Sequence, residues 1–427
     1  MSVLCEETAV TARLLPDDAA SGRLRDLAAH QQVFGAPAPA GALTSTAIVA
    51  MVEAAGLTGR GGAGFPMARK LKAVAAGGSP VVVANGAEGE PASSKDKVLL
   101  SLVPHLVLDG LQLACRAVGA TEAYVYVHEG PLVAMMSSII STRAALGIDP
   151  VTPKLVSAPA RFISGQESAV VSRLDGGPAL PMAVPPPVYL KGVHKSPTLV
   201  QNVETLAHLA LLVRRGSGWF RSAGTEAEPG TMLCSVTGAV AHKGVVETPV
   251  GTSISAVLER AGGVDGDLQA VLVGGYHGAW LPGSAALDLP LSLAGLRPHG
   301  ATPGAGVVVA LSTRTCGLVE TARVVDYLAA QSARQCGPCL NGLPAMAETL
   351  GRLARRDRTP GLVERVHQLA GLVERRGACH HPDGTVRFVR SALTVFAAEV
   401  DRHLAGGCTA TDRAAVLPTP RTRGGAS

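Results

Sequence analysis

Four glycines and three cationic side chains lie in one short segment, residues 58–70, which reads TGRGGAGFPMARK. The glycines are Gly59, Gly61, Gly62 and Gly64, and two of the cations, Arg60 and Lys70, are the candidates for contacting a ligand. A loop with so few side chains lets several backbone N–H groups close on a phosphate, and a nearby cation adds charge-assisted bonds. The spacing is neither that of a P-loop nor that of a G-x-G-x-x-G turn. The segment predicts a phosphate-binding loop, with a flexible glycine-rich loop as the alternative.

Polar side chains gather in three further segments, NGAEGEP at 85–91, SGQES at 164–168 and NVETL at 202–206. The residues that could contact a ligand are Asn85, Glu88, Glu90, Gln166, Glu167 and Asn202. Amides donate and accept hydrogen bonds toward a heterocycle, and carboxylates accept them from sugar hydroxyls. These segments are therefore candidates for binding a nucleotide-like ligand. A solvated acidic loop is the alternative for any single glutamate, and a helix N-cap is the alternative for Asn202.

A C-x2-C pair, Cys336 and Cys339, lies in QCGPC between two predicted helices, and Cys379 follows in RRGACHHPDG between two more. Thiolates at this spacing suit a metal. The metal is either an iron–sulfur cluster or a zinc ion in a Cys3His site completed by His380 or His381. An incidental pair of cysteines is the alternative. The sequence thus predicts a three-cysteine metal site in a helical region.

The elements that must position these residues alternate between strands and helices in the first half of the chain. Residues 81–84 and 122–130 read as strands, a third strand-like run starts near residue 160, and helices are predicted at 44–57 and 102–119. Such alternation predicts a parallel sheet with helices on both faces. Ligands of such sheets bind at the carboxyl ends of the strands, where the polar loops fall.

The pattern changes twice along the chain, so three domains are predicted. Residues 45–229 form the α/β domain, and residues 230–312 combine short strands, turns and one helix in a small α+β module. Residues 313–405 read as a helical bundle. Residues 1–44 are an N-terminal extension, and residues 406–427 are rich in Gly, Thr, Pro and Arg, which predicts a flexible tail.

Composition argues against several classes of function. The 427 residues carry a formal net charge of +5, few aromatic side chains and no block of Lys and Arg, so nucleic-acid binding has little support. No apolar window reaches the roughly 18 residues of a membrane span, and the acidic N-terminus does not resemble a signal peptide. We expect a cytoplasmic protein whose eight cysteines are ligands or small apolar residues rather than disulfides.

Several motifs in register resemble the flavin-bearing, NADH-oxidising subunit (the 51 kDa or F type) of respiratory complex I and its relatives in NAD-linked hydrogenases and formate dehydrogenases. The family patterns R-G-R-G-G-A-G-F-P-x-x-x-K, N-x-x-E-x-E-P-x-x-x-K-D and N-N-V-E-T-L-A correspond to TGRGGAGFPMARK, NGAEGEPASSKD and QNVETLA. The patterns G-E-E-T-A and C-G-x-C-x-P-C-R-x-G correspond to GQESA and ARQCGPCLNG. The resemblance runs from about residue 45 to 405 and identifies a divergent member.

The resemblance implies a Rossmann-like α/β domain that binds FMN, a ubiquitin-like (SLBB) module and a C-terminal helical bundle that holds an iron–sulfur cluster. It implies hydride transfer from NADH to the flavin and exit of single electrons through the cluster, and it assigns no catalytic side chain. The implied FMN contacts are Gly59, Arg60, Gly61, Gly62, Gly64, Lys70, Asn85, Glu88, Gly165, Gln166, Gln201 and Asn202. The implied NADH contacts are Phe65, Glu90 and Glu167, and the implied cluster ligands are Cys336, Cys339 and Cys379.

Several positions depart from the family pattern. The family's first cluster cysteine is Ala333 here. The fourth ligand is then His380, Cys316 or Cys408, or the cluster is [3Fe–4S] rather than [4Fe–4S], or it is missing. The other departures are Ala87 for an acid, Ala73 for an aromatic that stacks on adenine, Ser196 beside Lys195 for a lysine, and Gln166 for a glutamate. Loss of one stacking face is expected to weaken NADH binding by about 1–3 kcal/mol.

The leading hypothesis is an electron-transfer flavoprotein subunit that oxidises NADH through FMN. Its expected partners are a small [2Fe–2S] thioredoxin-like subunit and further oxidoreductase subunits, and it would be peripheral to the inner membrane only through that complex. The alternative is a degenerate FMN-binding subunit with a structural or docking role and no NADH turnover. A third hypothesis, a zinc-stabilised binding module, predicts zinc and no flavin.

Overall fold

Ten strands form two sheets in the computed structural model, which describes residues 2–3, 12–37, 42–183, 186–412 and 414–420. The strands are β1 (Ser2–Val3), β2 (Val81–Gly86), β3 (Glu122–His128), β4 (Lys154–Ala158), β5 (Thr198–Asn202), β6 (Thr231–Gly238), β7 (Gly244–Pro249), β8 (Leu268–Val273), β9 (Ala279–Pro282) and β10 (Val307–Ser312). The helices are α1 (Leu27–Phe34), α2 (Ser45–Ala55), α3 (Met67–Ala75), α4 (Lys95–Leu102), α5 (Pro104–Val118), α6 (Pro131–Ala145), α7 (Glu167–Leu174), α8 (Val203–Arg215), α9 (Ser217–Arg221), α10 (Ile254–Glu259), α11 (Gly283–Ala286), α12 (Leu293–Leu296), α13 (Gly317–Ala330), α14 (Leu343–Ala354), α15 (Leu362–Val373), α16 (His381–Val395) and α17 (Ala397–Leu404).

The first sheet is parallel throughout, with the strand order β4-β3-β2-β5. Its central strand β2 is apolar on both faces because Val82 packs with α5 and α8, whereas Val83 packs with α7. This continuous apolar run is typical of a parallel sheet covered on both sides. The register pairs Asn85 of β2 with Asn202 of β5. The polar loops after these strands therefore leave the sheet at the same edge.

Two sequence-based boundaries in this domain differ from the structure. The segment near residue 160 is not a strand: β4 ends at Ala158, and the chain then forms a 3₁₀ helix, Phe162–Gly165, followed by α7. Gln166 explains the change, because its side chain accepts a hydrogen bond from the Ala169 N–H and caps α7. The helix predicted at 102–119 begins at Pro104, which suits the first turn of a helix.

The second sheet has the order β1-β7-β6-β10-β8-β9 and mixes both strand directions. The pairs β6–β7 and β8–β9 are antiparallel, and β10 lies between them, parallel to β6. One face packs on α10, with Val271 against Val257 and Leu258 in a common core. The opposite face contributes Leu272 and Val309 to the core of the bundle formed by α13–α17. The sheet is thus the middle layer between a helix and the bundle.

Glutamates hold segments near both ends of the described chain. The Glu247 carboxylate accepts hydrogen bonds from the backbone N–H groups of Arg13 (2.9 Å), Leu14 (2.8 Å) and Leu15 (3.1 Å). Glu320 accepts one from the N–H of Leu417 (2.7 Å), whose side chain is fully buried. This packing differs from the flexible tail expected after residue 405. Parts of the predicted extension and tail lie outside the described residues: 1, 4–11, 38–41, 413 and 421–427.

Among the described residues, no single helix is both long enough and apolar enough to qualify as a membrane span. The bent pair α4–α5 meets those two criteria only when its helices are counted together.

Candidate functional site

The glycine loop packs against the carboxyl end of β5. The Gly59 N–H donates to the Phe65 carbonyl (2.9 Å) and closes the loop. A Cβ atom on Gly61 would lie 3.3 Å from the Cβ of Asn202, and the φ angle of Gly62 is +112°. Larger residues would fill this cradle or strain its backbone, so the structure explains why glycines stand here. The loop therefore presents bare backbone at the edge where the strands end.

The two candidate cations, Arg60 and Lys70, have different surroundings. The Arg60 guanidinium is buried and donates to the carbonyl of Pro229 (2.9 Å), and burial lowers its pKa. Lys70 reaches the edge of the sheet, where its Nζ donates to the Val200 carbonyl (3.0 Å) and pairs with the Glu167 carboxylate. Lys70 thus lies at the carboxyl edge of the sheet, whereas Arg60 connects the loop to the chain before β6.

The loop after β2 is joined to the start of α7. Asn85 donates from Nδ2 to the Gly165 carbonyl (2.8 Å), and its Oδ1 accepts from the Ala87 N–H (3.3 Å). A Cβ atom on Gly165 would lie 2.3 Å from the Ala87 carbonyl oxygen, so the two backbones touch only because residue 165 is glycine. Asn85, Gly165, Gln166 and Glu167 are therefore neighbours, as their positions after strands suggest.

A buried charge network supports the same edge, and the sequence analysis did not identify it. Lys95 donates from Nζ to Asp96 (2.7 Å) and to Glu204 (2.8 Å), and all three side chains are nearly inaccessible. Asn202 donates to Asp96 (2.7 Å) and caps α8 by accepting from the Glu204 N–H (3.0 Å). The available signal was the Lys-Asp pair within the motif NGAEGEPASSKD. Asn202 thus has the capping role that was its alternative.

Two buried glutamates follow β2. Burial, followed by repulsion from Asp96, raises the pKa of Glu88 to about 7, and burial raises the pKa of Glu90 to about 7 as well. The Oε2 of Glu88 has no hydrogen-bond partner among the described residues. Glu90 accepts from the backbone N–H groups of Tyr276 (2.6 Å) and Ala92 (3.1 Å). Both groups are therefore substantially protonated near neutral pH.

A cavity of about 750 Å³, large enough for a nucleotide, opens beside these glutamates. Its described lining is Glu88, Gly89, Glu90, Pro91, Lys97, His128, Glu129, Ala160, Arg161, Tyr327, Ala330, Gln331, Ser332, Ala333, Arg334 and Pro420. The cavity lies between the α/β domain and the bundle. The glycine loop is not part of that described lining. Phe65, on the loop, is 43% exposed, with the Arg69 guanidinium 5.5 Å from its ring centre. Glu90 and Phe65, both predicted to contact NADH, are thus in different surroundings.

The three predicted cluster cysteines are neighbours in the bundle. Cys339 lies in a π-helical turn, Pro338–Gly342, which follows Cys336 directly along the chain after Gly337. Burial and the neighbouring Cys336 raise the pKa of Cys339 to about 12. Burial is also the main cause of a raised pKa at Cys379, with repulsion from Cys336 adding to it. Neighbouring thiolates repel one another, and a metal ion that binds all of them stabilises them by neutralising their charge.

The candidate fourth ligands differ in their surroundings. His381 bonds to the Leu328 carbonyl (2.9 Å) and to the ring of His277 (3.1 Å), and the His380 side chain is fully exposed beside Asp383. Cys316 and Cys408 belong to a separate group with Glu399 and His403. The expectation that one of these two cysteines completes the cluster is therefore not supported by their positions.

The residues present fit both groups that the resemblance implies. The glycine cradle at Gly61 and Gly62 fits a phosphate, and the unpartnered buried Oε2 of Glu88 can accept a hydrogen bond from a polar ligand. The three close thiols, Cys336, Cys339 and Cys379, suit iron. The glycine cradle lies in the α/β domain and the thiols lie in the bundle, so the two candidate sites are held by different layers.

Two family descriptions match this chain. Residues 52–211 match the Nuo51 FMN-binding domain, which includes the glycine loop and the polar loops. Residues 320–403 match the iron–sulfur binding region of NADH-ubiquinone oxidoreductase F, which includes the three neighbouring cysteines.

Similar proteins span most of the chain. It is 32% identical over 380 residues to the NADH-quinone oxidoreductase F 2 subunit of Rhizobium meliloti, covering 85% of this chain and 90% of the relative. Identity to the NADH-quinone oxidoreductase F subunit of Salmonella typhimurium is 30%, over 84% of each chain. The fold is similar to a chain in the crystal structure of an air-oxidised NAD+-reducing [NiFe]-hydrogenase, with a TM-score of 0.79 and 31% identity. The match covers 84% of this chain but only 63% of the hydrogenase chain.

Proposed function

We propose that this chain, which belongs to the family of NADH-quinone oxidoreductase F subunits, oxidises NADH with bound FMN and passes electrons to an iron–sulfur cluster. The observation that carries the proposal is the glycine loop packed on β5, at the carboxyl edge of a parallel sheet and inside the matched FMN-binding range. When bound, FMN accepts a hydride and releases electrons one at a time, which is chemistry that no side chain supplies.

The residues of this chain would bind FMN and NADH, orient them and adjust the electrostatics of the site. Backbone N–H groups of the glycine loop and the Lys70 ammonium would hold the phosphate. Asn85, Gly165, Gln166, Gln201 and Asn202 would line the flavin, and Phe65, Glu90 and Glu167 would contact NADH. Arg60 would act on FMN only indirectly, by tethering the loop. Glu88, with a pKa raised to about 7, can present a neutral carboxyl, which avoids repelling an anionic ligand.

Cys336, Cys339 and Cys379 would hold the cluster as thiolates. Each must lose a proton on binding iron, because thiolates are the ligands. With Ala333 in place of a fourth cysteine, three protein thiolates are available at this site. The segment just before Cys336, Ala333 and Arg334, lines the cavity that also contains Glu90, which supports electron exit through the layer between the α/β domain and the bundle.

We assign FMN binding to residues 45–229 and cluster binding to residues 313–405. Residues 230–312 are proposed to be a ubiquitin-like module. Counted from β6, their strand order is 2-1-5-3-4 with the central pair parallel, which supports that assignment. The chain works as a subunit beside other oxidoreductase subunits. A small [2Fe–2S] thioredoxin-like partner and a location peripheral to the inner membrane are proposed by analogy with its relatives.

An anaerobic titration of the FMN-reconstituted protein with NADH tests the function. Bleaching of the flavin absorbance at stoichiometric NADH is the expected result. Flavin that binds but stays oxidised under excess NADH would instead support a structural or docking subunit. Elemental analysis that finds zinc at the three cysteines and no retained flavin would support a zinc-stabilised binding module.

A further inference from the structure

We propose that the helical bundle holds a zinc ion at a second metal site, formed by four side chains: Cys316, Glu399, His403 and Cys408. Their ligand atoms all lie within 4.8 Å of one another, and the first three side chains are buried. The proposal is independent of NADH oxidation, because none of these residues belongs to the FMN loops or to the three-cysteine group.

The distances match the edges of a zinc tetrahedron. Zn–S bonds of about 2.3 Å and Zn–N and Zn–O bonds of about 2.0–2.2 Å imply edges of about 3.5 Å for S–N, 3.6 Å for S–O and 3.4 Å for N–O. The Cys316 Sγ lies 3.5 Å from the His403 Nε2 and 3.9 Å from the Glu399 Oε1. The His403 Nε2 lies 3.2 Å from the same carboxylate oxygen. The side chains therefore need no large movement to share one ion.

The groups around the site orient the ligands. The His403 Nδ1 bonds to the Leu353 carbonyl (3.1 Å), which fixes Nδ1 as the donor and leaves the Nε2 lone pair for a metal. Glu399 accepts hydrogen bonds from the N–H (2.9 Å) and the hydroxyl (2.5 Å) of Thr409. The Val319 N–H donates to the Cys316 Sγ at the start of α13 (3.4 Å), a hydrogen bond that would help to stabilise a metal-bound thiolate. Such supporting bonds are typical of ligating histidines and carboxylates.

The donor set selects zinc and a structural role. Two thiolates, an imidazole and a carboxylate provide four protein ligands, so no position is open for a substrate. Thiolates are the form in which cysteines bind zinc, so binding would release the thiol protons, and the ion would neutralise the charges of the two thiolates.

The site is separate from the iron–sulfur site. The matched iron–sulfur region spans residues 320–403, so Cys316 and Cys408 both lie outside it. Cys316 precedes α13, and Cys408 follows α17, whereas Cys336, Cys339 and Cys379 lie in the connections between helices. A zinc ion at this site would link the beginning of the bundle to the segment after its last helix. That segment continues to Leu417, which is buried against α13.

Metal analysis of the purified full-length protein, loaded with zinc and desalted, tests the inference. We expect about one zinc per chain in the wild type and in the control Cys115→Ala, which removes a buried thiol of α5. Cys408→Ala should lose the zinc and keep the iron, and Cys336→Ala should lose iron and keep the zinc. Cys408 is partly exposed, so its truncation is the variant best able to fold.

Cobalt(II) provides a second readout that does not depend on activity. The visible d–d absorption of a tetrahedral thiolate site should appear in the wild type and in Cys336→Ala, and it should be absent in Cys408→Ala. Absence of retained zinc in the wild type would overturn the proposal. Equal zinc in the wild type and in Cys408→Ala would do so as well, and so would a Cys316–Cys408 disulfide in protein purified under reducing conditions.

Discussion

The Glu90 carboxylate accepts a hydrogen bond of 2.6 Å from the backbone N–H of Tyr276, a residue 186 positions further along the chain. The contact joins the loop after β2 to the second sheet. The backbone of Gly275 also packs closely on this carboxylate, because a Cβ atom on Gly275 would lie 2.5 Å from the Glu90 Oε2. A residue expected to contact NADH therefore also holds two domains together.

This contact predicts a pH dependence of stability. Burial raises the pKa of Glu90 from 4.5 to about 7, so the folded chain binds the proton more tightly than the unfolded chain does. The contribution of protonated Glu90 to the free energy of unfolding is fully present below pH 4.5. That contribution, at most about 3 kcal/mol, is lost as the pH rises through 7. Urea unfolding of wild type and Glu90→Gln between pH 5 and 8 should show a smaller pH slope in the variant. Equal slopes would contradict the assignment.

Gly62→Val should prevent FMN binding while the bundle stays folded. The φ angle of +112° at this position disfavours any residue with a branched side chain, so the loop must change shape. FMN bound per chain, measured by absorbance after desalting, should fall at least tenfold. Gly78→Val is the matched control, because a Cβ atom there meets nothing within 4 Å. A Gly62→Val protein replete with flavin would rule out the loop as the phosphate site.

Lys95→Met should destabilise the α/β domain by about 3–5 kcal/mol, because Asp96 and Glu204 then stay buried without their cation. Lys97→Met, an exposed neighbour on the same helix, should change the unfolding free energy by less than about 0.5 kcal/mol. Urea unfolding followed by far-UV circular dichroism measures both. A loss below about 1 kcal/mol for Lys95→Met would mean that the network contributes little to folding.

Ala333→Cys should raise the iron bound per chain. The substitution supplies the thiolate that the family pattern has at this position, and four thiolates complete a [4Fe–4S] cluster with about four irons. Iron analysis and electron paramagnetic resonance of the reduced and oxidised protein distinguish three-iron from four-iron clusters. Ala330→Cys, which adds a thiol beside the same cavity, is the control. Iron content that is unchanged by Ala333→Cys would mean that residue 333 lies beyond the reach of the cluster.

Local patterns predicted much of the chain. The apolar run 81–84 and the alternation of strands with helices predicted a parallel sheet, and the structure has one, because burial on both faces requires a continuous apolar strand. The same logic failed near residue 160, where the cap provided by Gln166 favours a helix over a strand. Gly61, Gly62 and Gly64 identified the loop, since the positive φ angles of Gly62 (+112°) and Gly64 (+62°) disfavour side chains, and a Cβ atom on Gly61 would lie only 3.3 Å from Asn202.

The glycine loop and the C-x2-C pair could be recognised from the amino-acid sequence, because each consists of neighbouring residues. The contact of Glu90 with Tyr276, and the position of Cys316 beside His403 rather than beside Cys336, follow only from the packing of the folded chain. Such partners are separated by tens to hundreds of residues, and spacing along the chain carries no information about which buried surfaces pack together. Packing of the sheet against the bundle fixes those distances, and it places Cys316 and Cys408 of the described cysteines in a group apart from Cys336, Cys339 and Cys379.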